Sequence, residues 1–136
     1  MKQQAITGKK EGMTMDHEAG CSLCQPEKAR SAMPDGRDIE MLAEFFRTIG
    51  SDTRLKILLA LDTCELCAGG LAEALGMAPS AVSNQLKALR QARLITVRRE
   101  GKMLYYRLAD CHPHEIIRLG LAHVREDQAQ ASAQML

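Results

Sequence analysis

A short strand-like stretch, residues 94–108, interrupts a chain whose other periodic segments are helical. Residues 94–99 and 103–108 are strand-like; the first run places Ile95, Val97 and Arg99 on one face and Leu94, Thr96 and Arg98 on the other, and Glu100-Gly101 supplies the turn between the two runs. Four segments with helical spacing precede this hairpin and one follows it. The order predicts a mainly α fold with a small antiparallel hairpin, an α+β arrangement.

Capping and breaking residues separate the helical segments. The expected boundary residues are, in chain order, Gly50 ending the first helix, Ser51 or Asp52 capping the second, Gly76 ending the third, Pro79 opening the fourth, Ala92 near its end, and Asp110 and Asp127 bounding the last. The third and fourth helices are separated by only a tight turn, so residues 65–92 predict a helix-turn-helix.

Composition divides the chain into three parts. Residues 1–37 are polar with sparse apolar side chains, which predicts a flexible N-terminal arm. Residues 38–127 are expected to form one folded domain, and residues 128–136 a polar tail. Of the 136 residues 46% are apolar but only 3% aromatic, so the core must be aliphatic. The longest aliphatic run, 57–61, is far short of the ~20 residues that span a membrane, and no secretory signal is visible, so we expect a cytoplasmic protein with no membrane partner.

The fourth helix has one apolar and one polar side. Val82, Leu86 and Leu89 fall together on the apolar side. The opposite side carries hydroxyls, amides and one ammonium group, without a carboxylate: Ser80, Ser83, Asn84, Lys87 and Gln91. Such groups can approach base edges and phosphates, so this side is predicted to contact DNA.

Positive charge is concentrated in one segment, although the net charge of the chain is only +1. Residues 79–108 contain seven lysines and arginines but a single acid, Glu100. This distribution is typical of a DNA-binding surface. Arg98, Arg99 and Lys102 of the hairpin are therefore predicted to contact DNA together with the fourth helix.

Several segments resemble the ArsR/SmtB family of metal-sensing winged-helix repressors. The resemblance spans about residues 38–127 and rests on Asp52-Thr-Arg-Leu-Lys-Ile, Glu65-Leu-Cys, Ser80-Ala-Val-Ser-Asn-Gln-Leu, the hairpin Arg99-Glu-Gly-Lys-Met-Leu-Tyr-Tyr, and the last helix. It implies a winged helix-turn-helix homodimer that binds operator DNA and releases it when metal binds. The cysteine-containing arm is similar to that of the cadmium- and lead-sensing branch and its zinc-sensing relatives, which implies control of metal efflux or detoxification genes.

The last helix carries a set of possible metal ligands, Asp110, His112, His123 and Glu126. His112 and His123 share one side of the helix but lie about 16 Å apart along its axis, too far to bind one ion. Two antiparallel copies would bring Asp110 and His112 of one chain to His123 and Glu126 of the other, forming two symmetric sites suited to Zn²⁺. The pattern also resembles the zinc site of the family at every ligand position.

The same helix has two apolar stripes, one containing Ile116 and Leu119 and the other Ile117 and Leu121. One can pack on its own domain while the other needs a partner, so the pattern predicts a homodimer through the terminal helices. The neighbouring His114 is predicted to be a surface residue.

Five cysteines, an odd number without an export signal, argue against a disulfide framework. Cys21 with Cys24 and Cys64 with Cys67 form two C-x-x-C pairs, and Cys111 is expected to be a bystander thiol. Four thiolates would make a soft tetrahedral site for Cd²⁺, Pb²⁺ or Zn²⁺. By resemblance, the arm of one protomer would reach the third helix of the other.

Other functions stay open because Gly69 occupies the position of the second cysteine in the family's box. One alternative is the same fold sensing arsenite or thiol oxidation through Cys64 and Cys67. Arsenite prefers three thiolates and no imidazole, so the ligand set of the last helix counts against an arsenite sensor. Glu65 between the thiols counts against thiol oxidation, because it disfavours the thiolate that oxidation requires. A C-x-x-C thiol oxidoreductase would need a βαβ unit, and a zinc-stapled interaction module would not need the basic segment 79–108.

Overall fold

A computed structural model describes residues 22–135, and its hairpin interrupts a series of helices as predicted. The elements are α1 (Pro26–Ala32), α2 (Gly36–Ile49), α3 (Asp52–Thr63), α4 (Ala68–Leu75), α5 (Pro79–Gln91), β1 (Ile95–Glu100), β2 (Met103–Leu108) and α6 (Cys111–Gln134). The chain divides into two compact units, Met1–Asp38 and Ile39–Leu136. None of the helices in the described part is long and apolar enough to cross a membrane.

The core of the second unit is aliphatic, as the composition requires. Its fully buried side chains come from α3, α4 and α5: Ile57, Leu58, Leu71, Val82, Leu86 and Leu89. Leu94, Ile95 and Ile117 extend this cluster to the hairpin and α6. The predicted apolar side of α5 is thus the buried side, and packing turns its polar side outward.

Capping and breaking residues begin and end the helices at the positions that the sequence predicts. The Ser51 hydroxyl accepts the backbone N–H of Arg54 and caps α3. Gly76 ends α4 in the left-handed conformation at φ +62°, which glycine adopts without steric cost. Pro79 occupies the first turn of α5, where the missing N–H does no harm. The α4–α5 pair therefore forms the predicted helix-turn-helix.

The hairpin pairs antiparallel, with Ile95 opposite Leu108 and Glu100 opposite Met103. Gly101 has φ +61° and makes the tight turn possible. Strand β1 pairs with one edge of β2. The opposite edge of β2 forms a single β-bridge, between Tyr106 and Leu66 in the loop that joins α3 and α4. The hairpin is thereby attached to the helix-turn-helix.

The structure differs from the expected boundaries at both ends of the described chain. α6 continues past Asp127 to Gln134 because residues 128–134 are mostly alanine and glutamine, which favour helix although they give no apolar stripe. Helix α1 lies inside the predicted arm, where Pro26 opens it and Arg30 pairs with Glu27. Because it buries no side chain, apolar periodicity could not reveal it. The division into arm, domain and tail stays a prediction.

Arg93, just after α5, is the one non-glycine residue with positive φ in the described chain, at 60°. Its N–H and that of Leu94 donate to carbonyls of the last helical turn, so this conformation ends α5. Arg93→Gly should raise the free energy of unfolding by about 1 kcal/mol, since glycine avoids the clash of Cβ in this region. Denaturant unfolding at fixed protein concentration measures it. Arg93→Ala, which removes the same charge but keeps Cβ, should show no such gain; an equal gain would assign the effect to charge.

Candidate DNA interface and metal sites

The polar side of α5 is exposed along its whole length. All five residues predicted to contact DNA from this helix are solvent-accessible: Ser80, Ser83, Asn84, Lys87 and Gln91. The buried Val82, Leu86 and Leu89 fix the rotation of the helix, and none of its residues is acidic. Hydroxyl, amide and ammonium groups therefore share one outward surface that can approach base edges and phosphates.

The hairpin extends this surface. Arg99 and Lys102 are exposed next to the turn, and the Nε–H of Arg99 donates to the carbonyl of Gly101 at 3.0 Å. An open cleft of about 360 Å³ separates α5 from β2 and is lined by Lys87, Arg90 and Tyr106, among others. Cations thus lie along the helix, the cleft and the turn, as the charge distribution predicts.

Arg98, also predicted to contact DNA, is bound within the protein. Its Nε–H donates to Glu65 and its Nη1–H to Glu100, both at 2.7 Å, and the guanidinium lies 4.9 Å from the ring centre of Tyr105. Glu100 and Glu65 hold the pKa of Arg98 above its usual value. Two carboxylates offset its charge, so Arg98 attracts phosphate less than the basic residues of the turn do. Its DNA contact stays a prediction.

Arg54, from the motif at the start of α3, holds neighbouring helices in place. Its Nε–H donates to the carbonyl of Thr48 near the end of α2, and its Nη1–H donates to Gln85 Oε1 at 3.3 Å. Gln85 belongs to α5. Arg54 therefore helps to position α5, a role that local sequence patterns do not reveal.

Asp110 and His112 of the predicted last-helix metal site lie together. Asp110 caps α6: its Oδ1 accepts the backbone N–H of His112 at 2.8 Å and lies 3.1 Å from His112 Nδ1. At the other end, His123 Nε2 lies 3.4 Å from Asp127 Oδ2, a neighbour that sequence reasoning missed. The side chains of Asp110, His112, His123 and Asp127 are each more than half exposed.

The two ends of this ligand set stay apart on one continuous helix. Within the described residues of a single chain, no three His, Cys, Asp or Glu side chains are close enough to hold a metal ion. Asp110 and His112 can therefore complete a site with His123 and Glu126 only if a second copy supplies them. That inter-subunit site stays a prediction.

The predicted thiolate site is only partly described. Cys21 lies outside the described residues, and Cys24 is exposed. Cys64 is exposed at the end of α3, whereas Cys67 is half-buried and caps α4, its Sγ accepting the N–H of Gly70 at 3.3 Å. The four-thiolate site stays a prediction.

Asp62 on α3 binds two residues of α6, and sequence reasoning missed this cluster. Its side chain is only 11% exposed; Oδ1 contacts His114 Nδ1, and Oδ2 accepts Nε–H and Nη2–H of Arg118 at 3.2 and 3.0 Å. The side chain of His114 is 41% exposed, but a carboxylate 52 residues away in the sequence binds it, a partner that the sequence did not predict. The hydrogen bond from His114, with help from Arg118, lowers the pKa of Asp62 despite its burial.

Asp62→Asn should lower the free energy of unfolding by about 1 kcal/mol at neutral pH, because Asn cannot reproduce the charged hydrogen bonds. The pKa of Asp62 is lower in the folded protein than the value of about 3.9 in an unfolded chain. The ionised carboxylate therefore stabilises the fold above the unfolded-state pKa, and this stability is lost as the pH falls through the folded-state pKa. The difference between wild type and variant should therefore close below about pH 4. Denaturant unfolding across pH measures this, with the exposed Glu115→Gln as control. A difference that persists unchanged in acid would contradict the role of the charge.

The chain is similar in sequence to bacterial transcriptional regulators. Residues 51–97 match the family described as bacterial regulatory protein, arsR family. Over 107 residues the chain is 38% identical to the transcriptional repressor SmtB homolog of Synechocystis sp.. The alignment covers 76% of this chain and 81% of the relative. Over 86 residues it is 31% identical to the cadmium resistance transcriptional regulatory protein CadC homolog of Staphylococcus aureus, covering 62% and 71%.

Solved structures share the fold. The AntR antimony-specific transcriptional repressor aligns with a TM-score of 0.67 and 33% identity, covering 81% of this chain and 99% of that one. The homodimeric winged helix-turn-helix DNA-binding domain of Mb0332 from Mycobacterium bovis aligns with a TM-score of 0.62 and 28% identity, covering 70% and 91%. The predicted winged helix-turn-helix is confirmed, with β1 and β2 as the wing.

Proposed function

Because this chain belongs to the arsR family of bacterial regulatory proteins, we propose that it is a homodimeric repressor that binds operator DNA without metal and releases it on binding Zn²⁺, Cd²⁺ or Pb²⁺. The observation that carries the proposal is the exposed surface of α5 and the wing, which combines base-reading side chains with cations. The genes controlled would serve metal efflux or detoxification. Such a protein would act by binding DNA and metal rather than as an enzyme, and its DNA target would place it in the cytoplasm.

The DNA-binding part of the proposal predicts three single substitutions. Lys87→Ala, Arg99→Ala and Lys102→Ala should each weaken binding to the DNA upstream of the protein's own gene and reduce the salt slope by about one, because each removes a phosphate contact. Fluorescence anisotropy at several salt concentrations measures both quantities. Arg125→Ala, an exposed cation on α6, is the control and should leave the slope unchanged. Unaltered affinity and slope in all three variants would rule out this surface.

An exposed apolar face supports the homodimer. Phe46 of α2 and Val124 of α6 are each about half exposed, at 50% and 51%, and line an apolar groove of about 460 Å³ with Leu55, Ile116 and Leu121. Isolated apolar side chains are ordinary, but a contiguous apolar groove between two helices favours a protein partner. A second copy packed through these terminal helices would cover it, in line with the homodimeric neighbour.

Two ligand sets support metal as the effector. Imidazoles and carboxylates on α6 suit Zn²⁺, and the cysteine pairs suit Cd²⁺ and Pb²⁺. The relative named for cadmium resistance supports the second set. Titrating the metal-free protein with each of the three ions, while following its binding to its own upstream DNA, tests the proposal. DNA affinity that no ion changes would refute metal sensing.

A second candidate is sensing of arsenite or antimonite by Cys64 and Cys67. The antimony-specific neighbour favours it. So does the ion pair of Glu65 with Arg98, which offsets the carboxylate charge between the two thiols. The same titration with antimonite separates the candidates, because a metalloid sensor would release DNA with antimonite but not with Zn²⁺.

A further inference from the structure

The loop between α3 and α4, residues 64–67 and here called the cysteine loop, is attached to the wing at two points. The N–H of Leu66 donates to the carbonyl of Tyr106 at 3.2 Å, and the N–H of Tyr106 donates back to Leu66 at 2.9 Å. Next to this bridge, the Glu65 carboxylate accepts the Nε–H of Arg98 at 2.7 Å. Backbone and side chain therefore tie the cysteine loop to β2 and β1 respectively.

The attached conformation of the loop is extended. Cys64 has φ −164° and ψ 163°, Cys67 has φ −79° and ψ 168°, and Leu66 between them pairs as a strand residue. An extended chain advances about 3.3 Å per residue and alternates its side chains, so a loop that is extended from Cys64 to Cys67 places their Cα atoms about 10 Å apart with side chains on opposite sides.

One metal ion cannot bind both sulfurs of this extended loop. With metal–sulfur bonds near ~2.3 Å, two thiolates on one ion lie only about 4 Å apart. Cys64 and Cys67 can reach that separation only if the loop folds into a turn. Folding draws Leu66 away from Tyr106 and Glu65 away from Arg98.

We propose that joint metal binding by Cys64 and Cys67 and attachment of the cysteine loop to the wing exclude each other, with Glu65 as a positioning residue that links the two. This rests on the proposed function, in which the wing binds DNA. Metal selects the detached loop and DNA selects the attached wing, so each ligand lowers the affinity for the other. The coupling has the sign that a repressor released by metal requires.

Weakening the attachment tests the link in the full-length protein. Glu65→Gln keeps the size of the side chain but removes its charge. The variant should bind Cd²⁺ about 2- to 5-fold more tightly than wild type, because fewer contacts between the cysteine loop and the wing must be broken. This factor corresponds to the free energy of one exposed ion pair. Cd²⁺ should then weaken binding to upstream DNA by a correspondingly smaller factor. Chelator competition, followed by thiolate-to-cadmium ultraviolet absorption, measures the metal affinity.

Two further variants make this result specific. Arg98→Gln breaks the same ion pair from the wing and should also tighten Cd²⁺ binding. Glu73→Gln changes an exposed acid on α4 and should behave as wild type. Unchanged or weaker Cd²⁺ affinity in both Glu65→Gln and Arg98→Gln overturns the proposal.

Hydrogen exchange provides a test without DNA. Saturating Cd²⁺ should speed exchange of the Leu66 and Tyr106 amides, and Cys64→Ser/Cys67→Ser should abolish this change. If these cysteines bind Cd²⁺ while both amides stay protected, the proposal is wrong. If the amides respond but wild-type DNA affinity does not, the exclusion is supported and the proposed function fails.

Discussion

Zinc binding to the last helix should disappear in Asp110→Ala/His112→Ala and equally in His123→Ala/Glu126→Ala, then return when the two variants are mixed. Each variant lacks one end of the ligand set, so a homodimer of either has no complete site. A heterodimer keeps one wild-type end from each chain and should recover about half of the wild-type zinc at this site. Isothermal titration of the separate and mixed proteins measures it.

The structure suggests a control for this experiment. Asp110 also caps α6, so replacing it with alanine removes a cap worth about 1 kcal/mol as well as a ligand. Asp110→Asn/His112→Ala retains a capping side chain and should lose zinc all the same. All variants keep the cysteines, so thiolate-bound zinc is a constant background. Confirmed heterodimers without recovered zinc would contradict the inter-subunit geometry.

Helix α5 could be predicted because its determinants are local. The spacing of Val82, Leu86 and Leu89 fixes which side of α5 is buried, and Pro79 fixes where the helix begins. The hairpin was equally predictable, since two strand-like runs and a glycine turn lie within a short segment. In α5 burial follows the helical periodicity, which is visible in the sequence.

The ion pairs could not be predicted in this way. Arg98 has the charge and position expected of a phosphate contact, but Glu65, 33 residues earlier, binds it once the cysteine loop pairs with β2. The sequence placed His114 at the surface but gave no sign that Asp62 of α3 binds it. Such pairs depend on the packing of distant segments. Local pattern identifies a cation but not whether its charge is already offset.

The end of α6 and the metal sites show two different limits. Residues 128–134 lack an apolar stripe, so periodicity predicted an end of α6 near Asp127. The helix continues to Gln134 because alanine and glutamine favour helix. The α6 ligand set was found from residue types and spacing, but its assembly depends on a second chain. One chain can place Asp110 beside His112; it cannot bring them to His123.

Cys21→Ser/Cys24→Ser should keep metal-free DNA binding but lose the release driven by Cd²⁺. We expect the thiolates to be the main sensor for soft metals, because they are the ligands that Cd²⁺ prefers. A coupling of about 1–3 kcal/mol makes the wild-type loss of DNA affinity roughly 5- to 150-fold. Anisotropy with upstream DNA should show this loss vanish, and the thiolate-to-cadmium absorption should fall with it.

The matched variant for this prediction is His123→Ala, which leaves all cysteines in place. It should respond to Cd²⁺ largely as wild type does while its response to Zn²⁺ is blunted, since imidazole and carboxylate ligands favour zinc. The two variants then separate a soft-metal input from a zinc input within one protein. If the serine variant still releases DNA at the wild-type Cd²⁺ concentration, the arm is not the sensor. Cys64 with Cys67, or Cys111, then becomes the better candidate.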